Sequence, residues 1–262
     1  MNISITYEDG MIKKLRKLGF RDIPKKTPFE KLRLEKDCLV IIYNTGKLLL
    51  QGSDSSVLHA LSDLRGREKP NKLDSEEEII GSDETLKGDT FGGLIVGGFK
   101  GNARIRSRLM SLGVKDSKLL SEQQILRIAE VLEKEFPNRI CIIELSPENY
   151  NHRMSYTSVT GLLNQMHQDV YNTLKPGKHV VDKYPGCKIG DEIIEKAESK
   201  YLEVAAASII ARKRALDQFN RLSEKIGFTL PKGSTHVSAA LRKLEIKGFN
   251  KAKFVKTHFR NV

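Results

Sequence analysis

From residue 79 onward the chain alternates short apolar runs of strand length with longer segments of helical periodicity. Four apolar runs predict strands: EEIIGSD, TFGGLIVGGF, RICIIELS and KHVVD. We expect a turn that holds an Asp-Glu pair to join the first two, and we expect the third to be buried. Three longer segments predict helices: SEQQILRIAEVLEKEF, which Ser121 caps, TGLLNQMHQDVYNTL and VAAASIIARKRALDQFNRL. The basic C-terminal stretch predicts a helix–loop–helix. Alternation of this kind predicts an α/β domain with a central sheet.

A smaller unit precedes this domain. GMIKKLRKLGF predicts a helix that ends at Gly19, CLVIIYNTGKLLLQG a β-hairpin, and SSVLHALSDLRG a serine-capped helix. The polar segment 67–78 contains Pro70 and lacks apolar periodicity, which is typical of an interdomain linker. We therefore expect an α+β domain over residues 1–66, a linker over 67–78 and an α/β domain over 79–262.

Charge and composition narrow the class of protein. The formal net charge of +12 favours an anionic partner such as nucleic acid over a generically basic soluble protein. No apolar run reaches the roughly 18 residues that span a bilayer, and no signal peptide is visible, so we expect a cytoplasmic protein without a membrane partner. Three dispersed cysteines predict reduced thiols. No dinucleotide or phosphate-loop motif occurs, so no organic cofactor is expected.

Four acidic residues lie beside apolar runs that could hold them rigidly: Asp83, Glu84, Asp182 and Glu198. Clustered carboxylates repel one another unless a cation balances their charge, and hard divalent cations prefer oxygen ligands. In a basic chain, this quartet therefore suggests metal-assisted cleavage of a polyanion.

Each acid also has a plainer explanation. An Asp-Glu dipeptide is usually a solvated surface pair. Asp182 ends a strand before a Tyr-Pro-Gly turn, where an aspartate can also form the turn or cap a helix. Glu198, taken alone, is better explained by a salt bridge to a nearby base, of which there are three candidates: Lys196, Lys200 and Arg212. The segment VKDSK could grip phosphate or form a solvated loop.

These segments, in this order, resemble ribonuclease HIII of the type 2 ribonuclease H family. SDETLKGDTFGG is similar to the family's first acidic motif, VKDSKLLS to its DSK motif, and LPKGSTHV and KTHF to its C-terminal motifs. HVVDKYPG and AESKYLEVAAASIIAR resemble the segments that bear the third and fourth carboxylates. Glutamate at position 198 favours the HIII over the HII branch. So does the N-terminal unit, which is similar to a TATA-binding-protein-like domain that binds substrate.

The resemblance implies a ribonuclease H-like catalytic domain with a central mixed sheet flanked by helices. It implies an endonuclease that hydrolyses the RNA strand of RNA–DNA hybrids with two Mg²⁺ or Mn²⁺ ions, leaving 5′-phosphate and 3′-hydroxyl ends. The catalytic and metal-binding residues would be Asp83, Glu84, Asp182 and Glu198. The substrate-binding residues would be Ser117, Lys118, Lys183, Lys87 and Gly88. We expect a monomer.

Two other functions stay open. One is a non-catalytic protein that binds RNA–DNA hybrids, and the other is an HII-like enzyme that nicks duplexes at single ribonucleotides. The first is conceivable because Leu86-Lys87-Gly88 stands where the family has a Gly-x-Gly turn. A leucine is expected to resist the positive φ that glycine permits there.

Overall fold

The computed structural model describes residues 2–8, 10–53, 56, 57, 60, 64, 77–259 and 262. The chain folds as two compact units, Met1–Asn71 and Lys72–Val262. Residues 67–76 of the predicted linker and most of the helix predicted in SSVLHALSDLRG lie outside the described residues. Three apolar residues of that segment, Val57, Ala60 and Leu64, are described and are buried in the core of the first unit.

The first unit is an antiparallel sheet with a helix against it. Its elements are β1 (Asn2–Thr6), α1 (Met11–Lys17), β2 (Arg21–Asp22), β3 (Glu30–Glu35), β4 (Leu39–Tyr43) and β5 (Lys47–Gln51). The strand order is β1-β5-β4-β3-β2. The predicted hairpin is the β4–β5 pair, and Gly19, at φ 89°, follows the predicted first helix. The likeness of this unit to the TATA-binding protein stays a prediction.

The second unit is built on a five-stranded mixed sheet. Its strands are β6 (Ile79–Thr85), β7 (Leu94–Gly101), β8 (Ile140–Leu145), β9 (Lys178–Asp182) and β10 (Glu192–Ile194). The order is β10-β9-β6-β7-β8, with β10, β9 and β6 mutually parallel and β7 antiparallel to both of its neighbours. Strands β6, β8 and β9 therefore end at one edge of the sheet, where β7 begins.

Helices cover both faces of this sheet. They are α2 (Ala103–Ser111), α3 (Glu122–Glu135), α4 (Pro147–Met154), α5 (Val159–Leu174), α6 (Leu202–Ile226) and α7 (Ser238–Ile246). Helices α2, α3 and α6 share one apolar core with Phe99 of β7, whereas α4 and α5 share another with Val96. Ser121 caps α3 in a capping box with Gln124, as its position predicts. The predicted fold class, a mixed sheet flanked by helices, is confirmed.

Helix α6 lies unusually close to the sheet because glycines face it. A Cβ atom on Gly81 of β6 would lie 2.3 Å from the backbone carbonyl carbon of Glu203, and one on Gly97 would lie 2.6 Å from the carbonyl oxygen of Ala207. The alanine run at the start of α6 has the small side chains that such an approach requires. This close packing fixes α6 against the two central strands.

Two predicted elements differ from the structure. Strand β8 is half-buried along its whole length rather than buried, because it is an edge strand of the sheet. The predicted C-terminal helix–loop–helix consists of α7 followed by a single 3₁₀ turn, Lys251–Lys253. Among the described residues, none of the helices has the length and apolar character needed to cross a bilayer.

Candidate active site

The Asp-Glu pair lies inside β6 and not in the turn after it. Asp83 and Glu84 pair with Gly97 and Val96 of β7, so the prediction that the turn holds them is wrong. The strand continues to Thr85 because β7 supplies partners up to that residue. Since successive side chains of a strand point to opposite faces, the two acids diverge: Asp83 faces Ser208 of α6, and Glu84 faces His167 of α5.

Asp83 is the carboxylate whose pKa is affected by all three of the other acids. Its side chain is buried, with 8% of the residue exposed. Burial and the charges of Glu84, Asp182 and Glu198 raise the pKa of Asp83 to about 8, although a hydrogen bond with Ser208 opposes the shift. The other three predicted acids are therefore near enough to Asp83 to interact electrostatically with it. A cation placed among them would relieve this repulsion.

Glu84 is held from two sides. Lys87 Nζ donates to its Oε1 at 2.5 Å, and Nε2 of the buried His167 lies 3.6 Å from its Oε2. Burial alone would raise the pKa of Glu84, but the His167 and Lys87 side chains together lower it below the usual value. Glu84 therefore stays ionised beside a neighbouring acid whose protonation is favoured.

The third and fourth acids are joined through one turn. Asp182 ends β9, and its Oδ1 accepts a hydrogen bond of 2.7 Å from the backbone N–H of Ala197. Ala197 begins the 3₁₀ turn Ala197–Ser199, which contains Glu198. Burial raises the pKa of Asp182, opposed by this hydrogen bond. Asp182 thus acts as a turn-capping residue and also lines the acidic cleft, so its two interpretations are compatible.

Glu198 is paired with a distant lysine and not with a neighbour. Lys118 Nζ lies 2.7 Å from its Oε1, whereas Arg212 donates instead to the carbonyl oxygen of Ser117. The other Glu198 oxygen, Oε2, is buried and has no hydrogen-bond partner among the described residues. Burial raises the pKa of Glu198, and Lys118 opposes that shift.

A cleft of about 420 Å³ opens at this edge of the sheet. Seven predicted site residues line it: Asp83, Glu84, Lys87, Ser117, Lys118, Asp182 and Lys183. Three further lining residues were not predicted as site residues: Thr85, Ser208 and Arg212. Two predicted site residues, Gly88 and Glu198, are not among the described residues that line the cleft, although Glu198 is paired with Lys118, which does line it. Ser208 and Arg212 are one helical turn apart on α6, and this spacing is the signal that could have revealed them.

The predicted substrate-binding side chains differ in their freedom. Ser117 is 1% exposed, and its hydroxyl lies 2.9 Å from Ser208 Oγ and 3.3 Å from Arg212 Nη1. The ammonium groups of Lys118 and Lys183 are exposed, with Lys183 paired to Glu195 at 2.8 Å. The lysines can therefore reach a ligand in the cleft, whereas Ser117 already bonds within the protein.

Leu86 adopts the conformation that it was expected to resist. Its φ is 67°, in the left-handed region, so that expectation is wrong. The backbone cost of about 1–2 kcal/mol is offset because the side chain is buried, 7% exposed, in a core that contains Phe91 and Phe219. The backbone turn that glycine would supply is thus kept, and its side chain packs into the core.

The loop after this turn is fastened to the C-terminal segment. Lys256, which is fully buried, donates from Nζ to the carbonyl oxygens of Asp89 at 2.6 Å and Gly92 at 3.1 Å. The carboxylate of Asp89 accepts from the backbone of Gly233 at 2.6 Å, and the carbonyl of Phe254 accepts from Gly92. We call residues 233 and 254–256, with the loop 89–92 that they hold, the C-terminal clasp.

The site fits a divalent cation by its chemistry. Within the described residues, no three His, Cys, Asp or Glu side chains form a closed metal-ligating group, and Lys87 and Lys118 bond two of the acids instead. The donors are nonetheless all oxygen atoms. Burial and the repulsion of the neighbouring acids raise the pKa of Asp83, and a buried oxygen of Glu198 has no hydrogen-bond partner among the described residues. These are the properties expected of carboxylates that share a hard cation.

Comparison with known proteins agrees with this geometry. Residues 80–262 match the family model described as Ribonuclease HII. The chain is 32% identical over 248 residues to a ribonuclease HIII of Streptococcus agalactiae, which covers 85% of this chain and 83% of that protein. Bst-RNase HIII in complex with Mn²⁺ superimposes with a TM-score of 0.68 at 26% identity, covering 100% of this chain and 96% of the other. Aquifex aeolicus RNase H3 superimposes with a TM-score of 0.60 at 26% identity, covering 98% of this chain and 100% of the other.

The fold, the acidic cleft and these matches define a ribonuclease H of type 2. The chain belongs to the ribonuclease HII family, and within it resembles the ribonucleases HIII. The predicted family and enzyme class are thereby confirmed, including endonuclease activity on RNA–DNA hybrids. The roles of the individual site residues remain predictions.

Proposed function

We propose that this protein hydrolyses the RNA strand of RNA–DNA hybrids with two divalent ions and leaves 5′-phosphate and 3′-hydroxyl ends. The observation that carries the proposal is the convergence of three carboxylates on a fourth, Asp83, whose pKa is raised to about 8 by burial and by these acidic neighbours. A basic chain that concentrates negative charge at one point of its surface suits a cation that mediates contact with phosphate.

Asp83, Glu84, Asp182 and Glu198 would hold the ions. Asp83 is the best candidate for a ligand shared by both, because it interacts with each of the other three acids. When bound, two divalent ions supply Lewis acidity that lowers the pKa of an attacking water and balances the charge on the leaving 3′-oxygen. An all-oxygen donor set suits either Mg²⁺ or Mn²⁺.

The basic residues of the cleft would position the scissile phosphate. Lys118 and Lys183 present exposed ammonium groups at the cleft, and Arg212 holds Ser117 in place beneath it. Lys87 and Gly88 belong to the turn after β6, whose backbone would approach the 2′-hydroxyl of the RNA strand. Recognition would then depend on groove shape and 2′-hydroxyl groups rather than on base sequence.

Substitution of single carboxylates tests the proposal. We expect Asp83→Asn or Asp182→Asn to abolish Mg²⁺- and Mn²⁺-dependent cleavage of a labelled hybrid while binding of the hybrid largely survives, because the ion site is lost and the basic surface remains. Asp191→Asn, at an exposed aspartate of the same unit outside the cleft, is the matched control. Wild-type turnover by the Asp83 variant would overturn the assignment.

The same assay decides between the alternative functions. Duplexes that carry a ribonucleotide tract are compared with duplexes that carry one ribonucleotide. Cleavage confined to the tract supports the HIII-like substrate range, and efficient nicking at the single ribonucleotide supports the HII-like range. Binding without cleavage of either would identify a non-catalytic hybrid-binding protein.

The smaller unit would add affinity for the substrate. We assign residues 1–66 to a substrate-binding domain, 67–78 to a linker and 79–262 to the catalytic domain, acting in a cytoplasmic monomer. The division of the chain into two compact units supports this assignment. Removal of residues 1–66 should weaken hybrid binding more than it lowers turnover at saturating hybrid. Light scattering coupled to gel filtration tests the monomer.

A further inference from the structure

A buried chain of polar groups leads from the centre of the sheet to Glu84. Ser82 Oγ lies 2.7 Å from Nδ1 of His167 and 2.8 Å from Nε2 of His179. Ser82 is 0% exposed, His167 0% and His179 2%, so these three side chains do not exchange hydrogen bonds with bulk water. The far nitrogen of His167, Nε2, has no hydrogen-bond partner among the described residues and lies 3.6 Å from Glu84 Oε2.

The carboxylate at the end of the chain fixes the direction of its hydrogen bonds. A neutral imidazole has one N–H and one lone pair. If Nδ1 of His167 carried the proton, a lone pair on Nε2 would face the Glu84 carboxylate in a buried place, which is repulsive. The favourable arrangement has His179 Nε2–H donating to Ser82, Ser82 O–H donating to His167 Nδ1, and His167 Nε2–H directed at Glu84.

Stacked rings keep His167 in this orientation. Its imidazole stacks on Tyr184 with centroids 5.2 Å apart, and His179 stacks on Tyr171 at 5.3 Å. The hydroxyl of Tyr184 donates to Asn164 Oδ1 at 2.9 Å, which anchors that ring to α5. The imidazole of His167 is thus restrained at one edge by a hydrogen bond and on one face by a ring, and its Nε2 edge faces Glu84.

We propose that His167 is a positioning residue that orients the Glu84 carboxylate through Nε2–H, with its tautomer set by Ser82 and His179. The inference deepens the proposed function, on which it rests in taking Glu84 as a metal ligand. Groups that orient the ligands of a metal typically change metal affinity by about 10–100-fold when they are lost. At 3.6 Å the contact is longer than a hydrogen bond, so bond formation would accompany movement of Glu84 toward its ligating position.

Two substitutions at this position separate positioning from packing. In His167→Gln the side-chain amide can place an N–H near the position of Nε2, whereas in His167→Asn the amide lies near the position of Nδ1 and keeps only the contact with Ser82. Mn²⁺ binding in the absence of hybrid is measured by calorimetry, with kcat and KM for hybrid cleavage measured separately. His152→Asn, at an exposed histidine of α4, is the matched control.

We expect His167→Gln to bind Mn²⁺ within about threefold of the wild type, and His167→Asn to bind at least about tenfold more weakly with a lower kcat. A purely structural His167 predicts the reverse order, because Asn keeps the Ser82 contact. Equal effects of the two variants, or the reverse order, would overturn the inference.

The tautomer provides a measurement that needs no variant and no activity. Nitrogen-15 NMR of the histidine rings in the full chain should find His167 protonated at Nε2 and bare at Nδ1, and a proton on Nδ1 would overturn the inference. A wild-type protein that fails to bind Mn²⁺ or to cleave hybrid would instead refute the proposed function, and the tautomer would still decide the role of His167.

Discussion

The ammonium group of Lys118 lies 2.7 Å from Oε1 of Glu198, so an exposed lysine neutralises an almost fully buried carboxylate. The lysine side chain is 74% exposed, and the glutamate side chain is 2% exposed. Lys118 therefore belongs both to the acidic cluster and to the surface that a phosphate would meet. A bound polyanion would attract the ammonium group of Lys118, and a bound cation would attract the carboxylate of Glu198, so each ligand would compete with this ion pair.

Lys118→Met should weaken binding of RNA–DNA hybrid at low salt and reduce the slope of log affinity against log salt concentration by about one, because one phosphate contact is lost. Filter binding or fluorescence anisotropy over a salt series measures this slope. Lys200→Met removes an equal charge from an exposed site next to Glu198 and should leave the slope unchanged. Identical slopes for the two variants would rule out a phosphate contact by Lys118.

Leu86→Gly should keep cleavage within a few-fold of the wild type, because glycine adopts a φ of 67° without strain. It should lower the unfolding free energy by about 2 kcal/mol, since the lost burial of leucine (about 2–5 kcal/mol) exceeds the relieved strain (about 1–2 kcal/mol). Leu86→Val should impair cleavage more, because a β-branched residue disfavours positive φ. Cleavage rates and urea denaturation test both. Better cleavage by the valine variant would contradict this account of the turn.

Gly81→Ala should destabilise the protein by about 3 kcal/mol or more, because the new Cβ would lie 2.3 Å from the backbone of α6. Urea denaturation monitored by circular dichroism measures the loss. Gly88→Ala is the control for stability, since a Cβ there meets nothing within 4 Å. If the two variants unfolded at the same urea concentration, helix α6 could not lie so close to β6.

Acid should weaken the fold through His179. Burial, and secondarily its neighbour His167, lowers the pKa of His179 from 6.5 to about 4. Between these values the unfolded chain binds a proton that the folded protein does not. The unfolding free energy therefore falls as pH is lowered from 6.5 to 4, by about 3 kcal/mol at most.

His179→Gln should flatten that part of the pH profile, whereas the same exchange at the exposed His152 should leave it unchanged. Denaturant titrations at several pH values measure the difference between the variants. A wild-type profile in the His179 variant would show that this ring does not stay neutral in the folded protein.

Local patterns in the sequence predicted what depends on neighbours in the chain. Strand-length apolar runs located β6, β7, β8 and β9, and the four acids beside apolar runs were proposed to form one metal-binding group. The cap of α3 was predicted because Ser121 directly precedes the helical run. Family resemblance supplied the identity of the four acids as a set.

Contacts between segments that are distant in the sequence could not be predicted from local patterns. The partner of Glu198 is Lys118, 80 residues away, and not one of the adjacent bases. Leu86 accepts a positive φ because Phe219 and Phe91 bury its side chain, and no local propensity encodes that compensation. His167 lies on a helix where its spacing predicts only a buried face, and its relation to Glu84 follows from the packing of α5 on the sheet.

The C-terminal clasp has a consequence for how the protein matures. Lys256 and Asp89 are 167 residues apart, so their contact is among the least local in the fold. During synthesis, strands β6 and β7 can pair long before the ribosome has made the residues that hold the loop between them. Because such distant contacts form late, a nascent chain can complete its sheet while the turn beside Asp83 is still loose.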